Sequence, residues 1–128
     1  MAGTPSVARS KRGMQARRSG RRAELFCAVW LMAKGYRILG FRLRTRQGEI
    51  DLLVQKGGVV AVVEVKRRTR LADALDAVTW RQRDRLRRAA LAVTAGRPGL
   101  VGAAIRLDLI ALAPGRLPRH IRDAWGEA

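Results

Sequence analysis

Two apolar segments separated by a glycine turn constrain the fold of this chain more than any other feature of its sequence. The segments, GEIDLLVQ at residues 48–55 and VVAVVEVK at residues 59–66, are rich in residues that favour strands. The sequence KGG at residues 56–58 supplies the glycines that a tight hairpin turn requires. We therefore predict a β-hairpin. Because the run VVAVV is apolar at every position, its strand is expected to lie centrally in a sheet covered on both faces.

The predicted hairpin carries acidic side chains on both of its strands. If residues 57–58 form the loop, Asp51 lies opposite Glu64, and such cross-strand partners point to the same side of the sheet about 5 Å apart. Lys66 lies two residues beyond Glu64 and points to that side as well. If residues 56–57 form the loop instead, Asp51 moves one diagonal step from Glu64 on the same face. Either loop brings three ionisable side chains to one end of the hairpin.

Adjacent carboxylates on a partly buried sheet repel each other, so one of them tends to hold a proton unless a cation is present. Mg²⁺ typically takes one or two protein carboxylates and completes its shell with water and substrate phosphate. Lys66 would then stabilise charge on the phosphate or orient the attacking water. This arrangement suits phosphodiester hydrolysis, with Glu49 as a supporting acid. The same spacing is also typical of a plain ion pair between Glu64 and Lys66 on a half-exposed strand.

The charge of the chain points to a polyanionic partner. The 128 residues include 27 Lys and Arg against 10 Asp and Glu, a net charge of +17. Nucleic acid is the partner that such an excess favours most. A membrane surface is disfavoured, because no segment combines a strong apolar face with a lysine-rich opposite face. Cys27 is the single cysteine, which excludes an internal disulfide, and a buried thiol in a reducing cytoplasm is expected.

The domain organisation is predicted to be simple, with a disordered basic arm at residues 1–20 and one domain at residues 21–128. The predicted elements are, in chain order, a helix at 21–34, a strand at 36–46, the hairpin, a helix at 73–95, a strand at 101–114 and a short helix at 118–125. A strand followed by a helix and another strand implies a parallel pair. Gly35 is expected to end the first helix.

Three further expectations concern single faces and residues. The first helix is predicted to bury an apolar stripe, which consists of Leu25, Ala28, Val29 and Met32. The strand at 36–46 is predicted to carry three arginines on one face, Arg42, Arg44 and Arg46, with an irregularity at Gly40. His120 is expected to be a packing or capping residue outside the site.

The hairpin sequence GEIDLLVQKGGVVAVVEVKRRT closely resembles the signature of the YraN-like family of predicted endonucleases, within the PD-(D/E)xK nuclease superfamily. Asp51 matches the first acid of the pattern and Glu64-Val65-Lys66 its acid-x-Lys part, while Ile50 replaces the proline. The flanking blocks AELFCAVWLMAKGYRIL, DAVTWRQRDRLRRAALAV, IRLDLIAL and HIRDAW resemble the family in the same order. The likeness therefore covers roughly residues 20 to 125.

This resemblance implies an α/β fold, a restriction-endonuclease-like core with a central mixed β-sheet flanked by helices. It implies cleavage of nucleic acid, with DNA favoured, dependent on Mg²⁺ or Mn²⁺. Asp51 and Glu64 would be catalytic metal ligands and Lys66 a catalytic amine, and Glu24 on the first helix would join the metal site. Arg42 stands where the family frequently has asparagine, a departure that would alter the substrate surface.

The expected phosphate contacts come from basic residues around this site, which position nucleic acid without reading its sequence. They are Arg42, Arg44, Arg67, Arg68 and Arg81. Two rival interpretations remain at this point: a non-catalytic nucleic-acid-binding protein that retains the nuclease scaffold, and an accessory protein whose basic surface binds an acidic partner. The choice between DNA and RNA, between branched and linear targets, and between a monomer and a homodimer also stays open.

Overall fold

The structure, a computed structural model, describes the backbone of residues 7–127 and the side chains of residues 20–127. Five strands form one mixed sheet in the order β1-β2-β3-β4-β5. The strands are β1 Arg37–Thr45, β2 Gly48–Lys56, β3 Val59–Arg67, β4 Ala104–Leu112 and β5 Arg119–Ile121. The helices are α1 Val7–Ala33, α2 Leu71–Asp76 and α3 Trp80–Ala95, with a 3₁₀ turn at Pro98–Leu100.

The sheet is antiparallel from β1 to β3, parallel between β3 and β4, and antiparallel again between β4 and β5. The predicted α/β fold with a central mixed sheet flanked by helices is thereby confirmed, and it is consistent with a restriction-endonuclease-like core. The parallel pair follows from the helical crossover between β3 and β4, as the sequence predicts. None of the helices in the described part of the chain is long and apolar enough to cross a membrane.

Strand β3 lies in the middle of the sheet and is buried on both faces. Val60 and Val62 pack in one apolar cluster with Leu86 of α3. Val63 packs in a second cluster with Leu31 of α1. Each such fully buried aliphatic side chain contributes about 1.5–3 kcal/mol to folding. Two covered faces explain why the strand is apolar at consecutive positions rather than at alternate ones.

The β2–β3 hairpin adopts the register in which residues 57–58 form the loop. Lys56 pairs with Val59, and the ladder continues to Leu52 and Val63. Gly57 has a φ of 60°, a left-handed conformation that glycine adopts without steric cost. The first of the two predicted loops is therefore the correct one.

Helix α1 buries a different face from the one predicted. Its buried residues are Ala23, Glu24, Cys27, Ala28 and Leu31. Leu25, Val29 and Met32 of the predicted stripe are 58–59% exposed, so only Ala28 was placed correctly. Because small side chains let the helix lie close to the sheet, Cys27 and Ala28 select the face that packs. Glu24, the acid on that face, forms an ion pair with Arg42.

The termini of α1 bear on two further predictions. Gly35, with a φ of 92°, ends the helix as predicted. The helix begins at Val7, before the Arg21 that the spacing predicts. Most of the predicted arm, residues 1–20, lies outside the described part of the structure. Residues 1–6 are not described, and the side chains of residues 7–19 are not described either. The division into an arm and a domain therefore stays a prediction.

The single helix predicted at residues 73–95 is wrong, because the chain breaks into α2 and α3. Thr79 caps α3: its hydroxyl accepts a hydrogen bond from the Gln82 backbone N–H at 3.2 Å, and the Gln82 side chain accepts one from the Thr79 N–H at 2.9 Å. This reciprocal capping box starts a new helix at Trp80. The short helix predicted at 118–125 is also wrong, since β5 adds a strand to the sheet edge there.

A buried ionic network connects β4, β5 and β1. Asp108 is fully buried and accepts hydrogen bonds from Arg106 at 2.8 and 2.9 Å and from His120 Nε2 at 2.8 Å. Arg106 also donates to the Tyr36 hydroxyl at 2.9 Å. Burial alone would raise the pKa of Asp108, but the hydrogen bonds from His120 and Arg106 outweigh it and hold that pKa below its ordinary value. His120 thus has the structural role predicted for it.

Removal of the α3 cap tests the break between α2 and α3. We expect Thr79→Ala to lower the free energy of unfolding by about 1 kcal/mol, because the backbone N–H of Gln82 loses the hydroxyl that accepts its hydrogen bond. Urea denaturation measures this loss. Thr69→Ala is the matched control, since Thr69 is exposed and Arg70 is the residue that precedes α2. Equal stability of the two variants would show that the cap does not hold the start of α3.

Neutralisation of Asp108 tests the network. Asp108→Asn leaves the Arg106 charge without its buried counter-ion, and we expect a loss of about 3–5 kcal/mol in the free energy of unfolding. Asp76→Asn, at an exposed position on α2, should change it by less than about 0.5 kcal/mol. A small and similar effect of both substitutions in denaturant titrations would contradict the assignment.

Candidate active site

Asp51 and Glu64 meet where the β2–β3 ladder ends. The last ladder pair is Leu52 with Val63, so the same register places Asp51 next to Glu64. The Val65 backbone N–H donates a hydrogen bond to Asp51 Oδ2 at 3.1 Å. Each of the two carboxyl groups shifts the pKa of the other. The loop geometry therefore fixes a carboxyl pair at the open end of the hairpin.

The protonation of the pair follows from its burial. Burial, together with the negative charge of Asp51, raises the pKa of Glu64 to about 8. Burial also raises the pKa of Asp51, although the Val65 hydrogen bond and the Lys66 charge oppose this. Glu64 therefore holds a proton near neutral pH. The two groups together carry one negative charge rather than two.

Lys66 lies beside the pair without neutralising it. Its Nζ is 3.8 Å from Glu64 Oε2, a separation too long for a hydrogen bond. The Lys66 charge lowers the pKa of Glu64, but burial and Asp51 outweigh that effect. The plain ion pair between Glu64 and Lys66 is thus a poor description of this site. The Lys66 side chain is 28% exposed and is accessible to a ligand.

Glu24 borders the site from α1 and is held by Arg42. Arg42 Nε donates to Glu24 Oε2 at 2.7 Å, and Nη2 donates to Oε1 at 3.3 Å. The pKa of Glu24 is raised by burial first and by the charge of Asp51 second, with Arg42 opposing both. Glu24 is therefore close enough for the charge of Asp51 to raise its pKa, while Arg42 binds both of its carboxylate oxygens.

Arg42 reaches Glu24 because β1 is irregular opposite Asp51. The β1–β2 ladder has pairs at Phe41 with Leu52 and at Leu43 with Ile50, and the register leaves Arg42 facing Asp51 between them. Arg42 has a φ of 50°, a conformation that a long side chain adopts only under local constraint. The predicted irregularity near Gly40 is present as a register shift between Ile38 and Gly40.

The prediction of one arginine face on β1 is wrong. Arg42 leaves the regular strand and pairs with Glu24. Arg44 stays exposed on the strand, and Arg46 lies in the turn that follows it. The alternation of a regular strand does not apply across the irregular residue, so the three guanidinium groups do not form a row.

The remaining predicted arginines lie on different parts of the surface. Arg67 and Arg68 follow Lys66 directly at the end of β3 and are exposed. Arg81 is exposed in the first turn of α3. Because α3 packs in the cluster on one face of the sheet and α1 in the cluster on the other, Arg81 belongs to a different layer from Glu24. The arginines nearest the carboxyl pair along the chain are those at the end of β3.

The donor set fits a divalent cation in part. Among residues 20–127, no group of three His, Cys, Asp or Glu side chains has an arrangement that could hold a metal ion. Asp51 and Glu64 supply two carboxyl groups, which is sufficient for Mg²⁺ when water and phosphate complete its shell. A cation would displace their shared proton. Glu24 would add a third oxygen ligand only if its ion pair with Arg42 opened.

Two functional features escaped the sequence analysis. One is a cavity of about 700 Å³ whose walls include Arg22 and Phe26; the only signal for it is an aromatic residue two positions after the acid of α1. The other is the Asp108 network, for which the signal is Arg106 and Asp108 at alternate positions of a strand that is otherwise apolar. Both depend on residues distant in sequence, which periodicity does not relate.

The fold and the site define an α/β protein with a paired-carboxyl site on a restriction-endonuclease-like core. Residues 23–112 match the model of a family described as "Uncharacterised protein family UPF0102". A UPF0102 protein of Caulobacter vibrioides is 66% identical over 120 residues, which cover 94% of this chain and 96% of the relative. The UPF0102 protein of Paramagnetospirillum magneticum is 45% identical over 120 residues, with 91% and 93% covered. That of Agrobacterium fabrum is 41% identical over 116 residues, with 91% and 95% covered.

This chain belongs to the UPF0102 family. The family is the YraN-like one that the hairpin motif resembles, so the recognition made from the sequence is confirmed. The matched segment, residues 23–112, includes the carboxyl pair, the lysine and the acid of α1. The names of the family and of these relatives describe no activity.

The pH dependence of stability tests the shared proton. The pKa of Glu64 is about 8 in the folded protein and near 4.5 in the unfolded protein. Between these limits the unfolded state binds fewer protons, so stability falls as pH rises, by up to about 1.4 kcal/mol per pH unit. We expect Glu64→Gln to flatten this slope in urea denaturation with a chelator present.

The control for this experiment is Asp76→Asn, which neutralises an exposed acid on α2. It should leave the slope of the wild-type protein unchanged. Identical slopes for the wild-type and Glu64→Gln proteins would show that Glu64 ionises normally and would contradict the description of the pair.

Proposed function

We propose that this protein is a metal-dependent nuclease that hydrolyses phosphodiester bonds of nucleic acid, with DNA as the favoured substrate. The observation that carries the proposal is the buried Asp51–Glu64 pair, which retains a proton where a cation would be the better neutralising partner. Lys66, 3.8 Å from Glu64, adds a positive charge at the place where a phosphate would approach. Two carboxyls and an amine at one strand end are the groups that such a reaction requires.

Asp51 and Glu64 are the proposed ligands for Mg²⁺ or Mn²⁺. When bound, the cation would supply Lewis-acid activation of the phosphate. The Val65 N–H holds Asp51 in place, so this ligand is oriented before any ion arrives. Lys66 would stabilise negative charge on the phosphate oxygens. Glu24 is proposed to support the site through its negative charge, which the ion pair with Arg42 partly balances.

The surface around the site favours a nucleic-acid partner. The net charge of +17 attracts polyanions, and the exposed arginines Arg44, Arg67, Arg68 and Arg81 are proposed to contact the phosphate backbone. These contacts would fix the position of the nucleic acid on the protein and would not select its sequence. We place the protein in the cytoplasm, where its single cysteine stays reduced. A homodimer is the arrangement we propose for a double-stranded substrate.

A non-catalytic nucleic-acid-binding protein is the second candidate function. It is favoured by one observation, namely that the described residues gather two metal-binding carboxyls and not three. In that case the Glu24–Arg42 ion pair would be permanent, and the basic surface alone would act. The two candidates differ in cleavage, not in binding.

A cleavage assay separates them. The protein is incubated with duplex, branched and single-stranded DNA and with RNA, in the presence of Mg²⁺ or Mn²⁺. We expect cleavage of at least one substrate, and a loss of about 100-fold or more in rate for Glu64→Gln and for Lys66→Ala. Both variants should still bind the substrate in a chelator, because they leave the arginines unchanged.

Asp76→Asn, at an exposed acid of α2, is the matched control and should cleave at the wild-type rate. Salt-dependent binding without cleavage across all substrates would support the binding protein instead. Absence of both binding and cleavage would point to an accessory protein with an acidic partner and would overturn the nuclease proposal.

A further inference from the structure

A cavity lies between residues 22–26 of α1 and the ends of β3 and β4. Its volume is about 700 Å³, within the range of ligand-binding pockets. Ala23 and Phe26 of α1 line one side, and Arg68 and Leu112 from the strand ends line the other. We refer to it as the α1–β3 cavity.

Two residues that line the α1–β3 cavity are sequence neighbours of residues in the proposed site. Ala23 directly precedes Glu24, which senses the charge of Asp51. Arg67, another lining residue, directly follows Lys66. Asp51, Glu64 and Lys66 do not themselves line the cavity. A ligand in the cavity would therefore lie next to the reacting phosphate and not on it.

The lining combines an aromatic ring with positive charge. Phe26 is 54% exposed, so its ring is accessible to a ligand. Arg22, Arg67 and Arg68 outnumber Asp73, the single acid of the lining. A flat apolar surface with cations at its margin matches a nucleobase joined to its phosphate. A stacked duplex would present its bases to each other, not to this ring.

We propose that the α1–β3 cavity binds an unpaired nucleotide of the substrate, with the base against the Phe26 ring and the phosphate beside Arg22 and Arg68. The proposal rests on the proposed nuclease function and narrows its substrate class. The substrate contains a single-stranded segment next to the cleaved bond, as a flap, a branch or a free strand does. A fully paired duplex lacks a base that enters the cavity without unpairing.

Phe26→Ala tests the proposal without touching any charge. Binding of fluorescein-labelled oligonucleotides is followed by anisotropy in a chelator, so that cleavage plays no part. We expect the wild-type protein to bind single-stranded DNA more tightly than blunt duplex. Phe26→Ala should weaken single-stranded binding by about tenfold, which is the usual scale for loss of one stacked base, and leave duplex binding unchanged.

Two further variants make the result specific. Val29→Ala removes a side chain that is 59% exposed on the same helix but does not line the cavity, and it should bind like the wild-type protein. Phe26→Trp should keep or strengthen single-stranded binding. An oligonucleotide with one abasic position, moved along the strand, should lose affinity at one position for the wild-type protein and at none for Phe26→Ala.

Unchanged single-stranded binding by Phe26→Ala would overturn the cavity proposal. An equal loss for single-stranded and duplex DNA would overturn it as well, because a stacking site distinguishes them. If those results came with cleavage that depends on Glu64, the nuclease function would stand without the cavity. If Phe26→Ala lost single-stranded binding while no substrate was cleaved, the cavity would stand and the nuclease function would fail.

Discussion

The pairing of the Asp51 and Glu64 carboxyl groups depends on a backbone constraint that begins at the other end of the hairpin. A two-glycine loop sets the register, the register ends the ladder at Leu52 and Val63, and the next two side chains are carboxyls that face each other. Burial prevents both from ionising, so the pair retains one proton. A cation bound at this site, as we propose, would replace that proton. The affinity of the site for metal would therefore rise with pH.

The surroundings of the pair limit its charge in a second way. Glu24 approaches from α1, but Arg42 occupies both of its oxygens. Arg42 does so from a left-handed backbone position, at the one point of β1 that faces Asp51. A third carboxylate thus stands next to the pair without adding its full charge. The negative charge of Glu24 is thus balanced by Arg42, whereas Asp51 and Glu64 are the two acids that we propose as cation ligands.

The sequence predicts those parts of the structure whose signals are local. The hairpin, the parallel β3–β4 pair and the meeting of Asp51 with Glu64 follow from glycine positions and strand periodicity, whereas the glycines alone allow two registers. The buried face of α1 does not, because apolar spacing favours Leu25 while packing selects the smaller Cys27. The break before α3 carries a local signal at Thr79, which the longer helical pattern concealed. Asp108 and the α1–β3 cavity depend on contacts between distant segments, for which a single sequence contains no periodic signal.

Calorimetric titration with Mg²⁺ near neutral pH, repeated in two buffers of different ionisation enthalpy, counts the protons that leave the protein when the ion binds. If the pair shares a proton that the cation replaces, about one proton is released per bound ion by the wild-type protein. Glu64→Gln, which has no such proton, then releases none and binds the ion more weakly. Binding without proton release by the wild-type protein, or equal binding by the variant, would contradict the account of the Asp51–Glu64 pair given above.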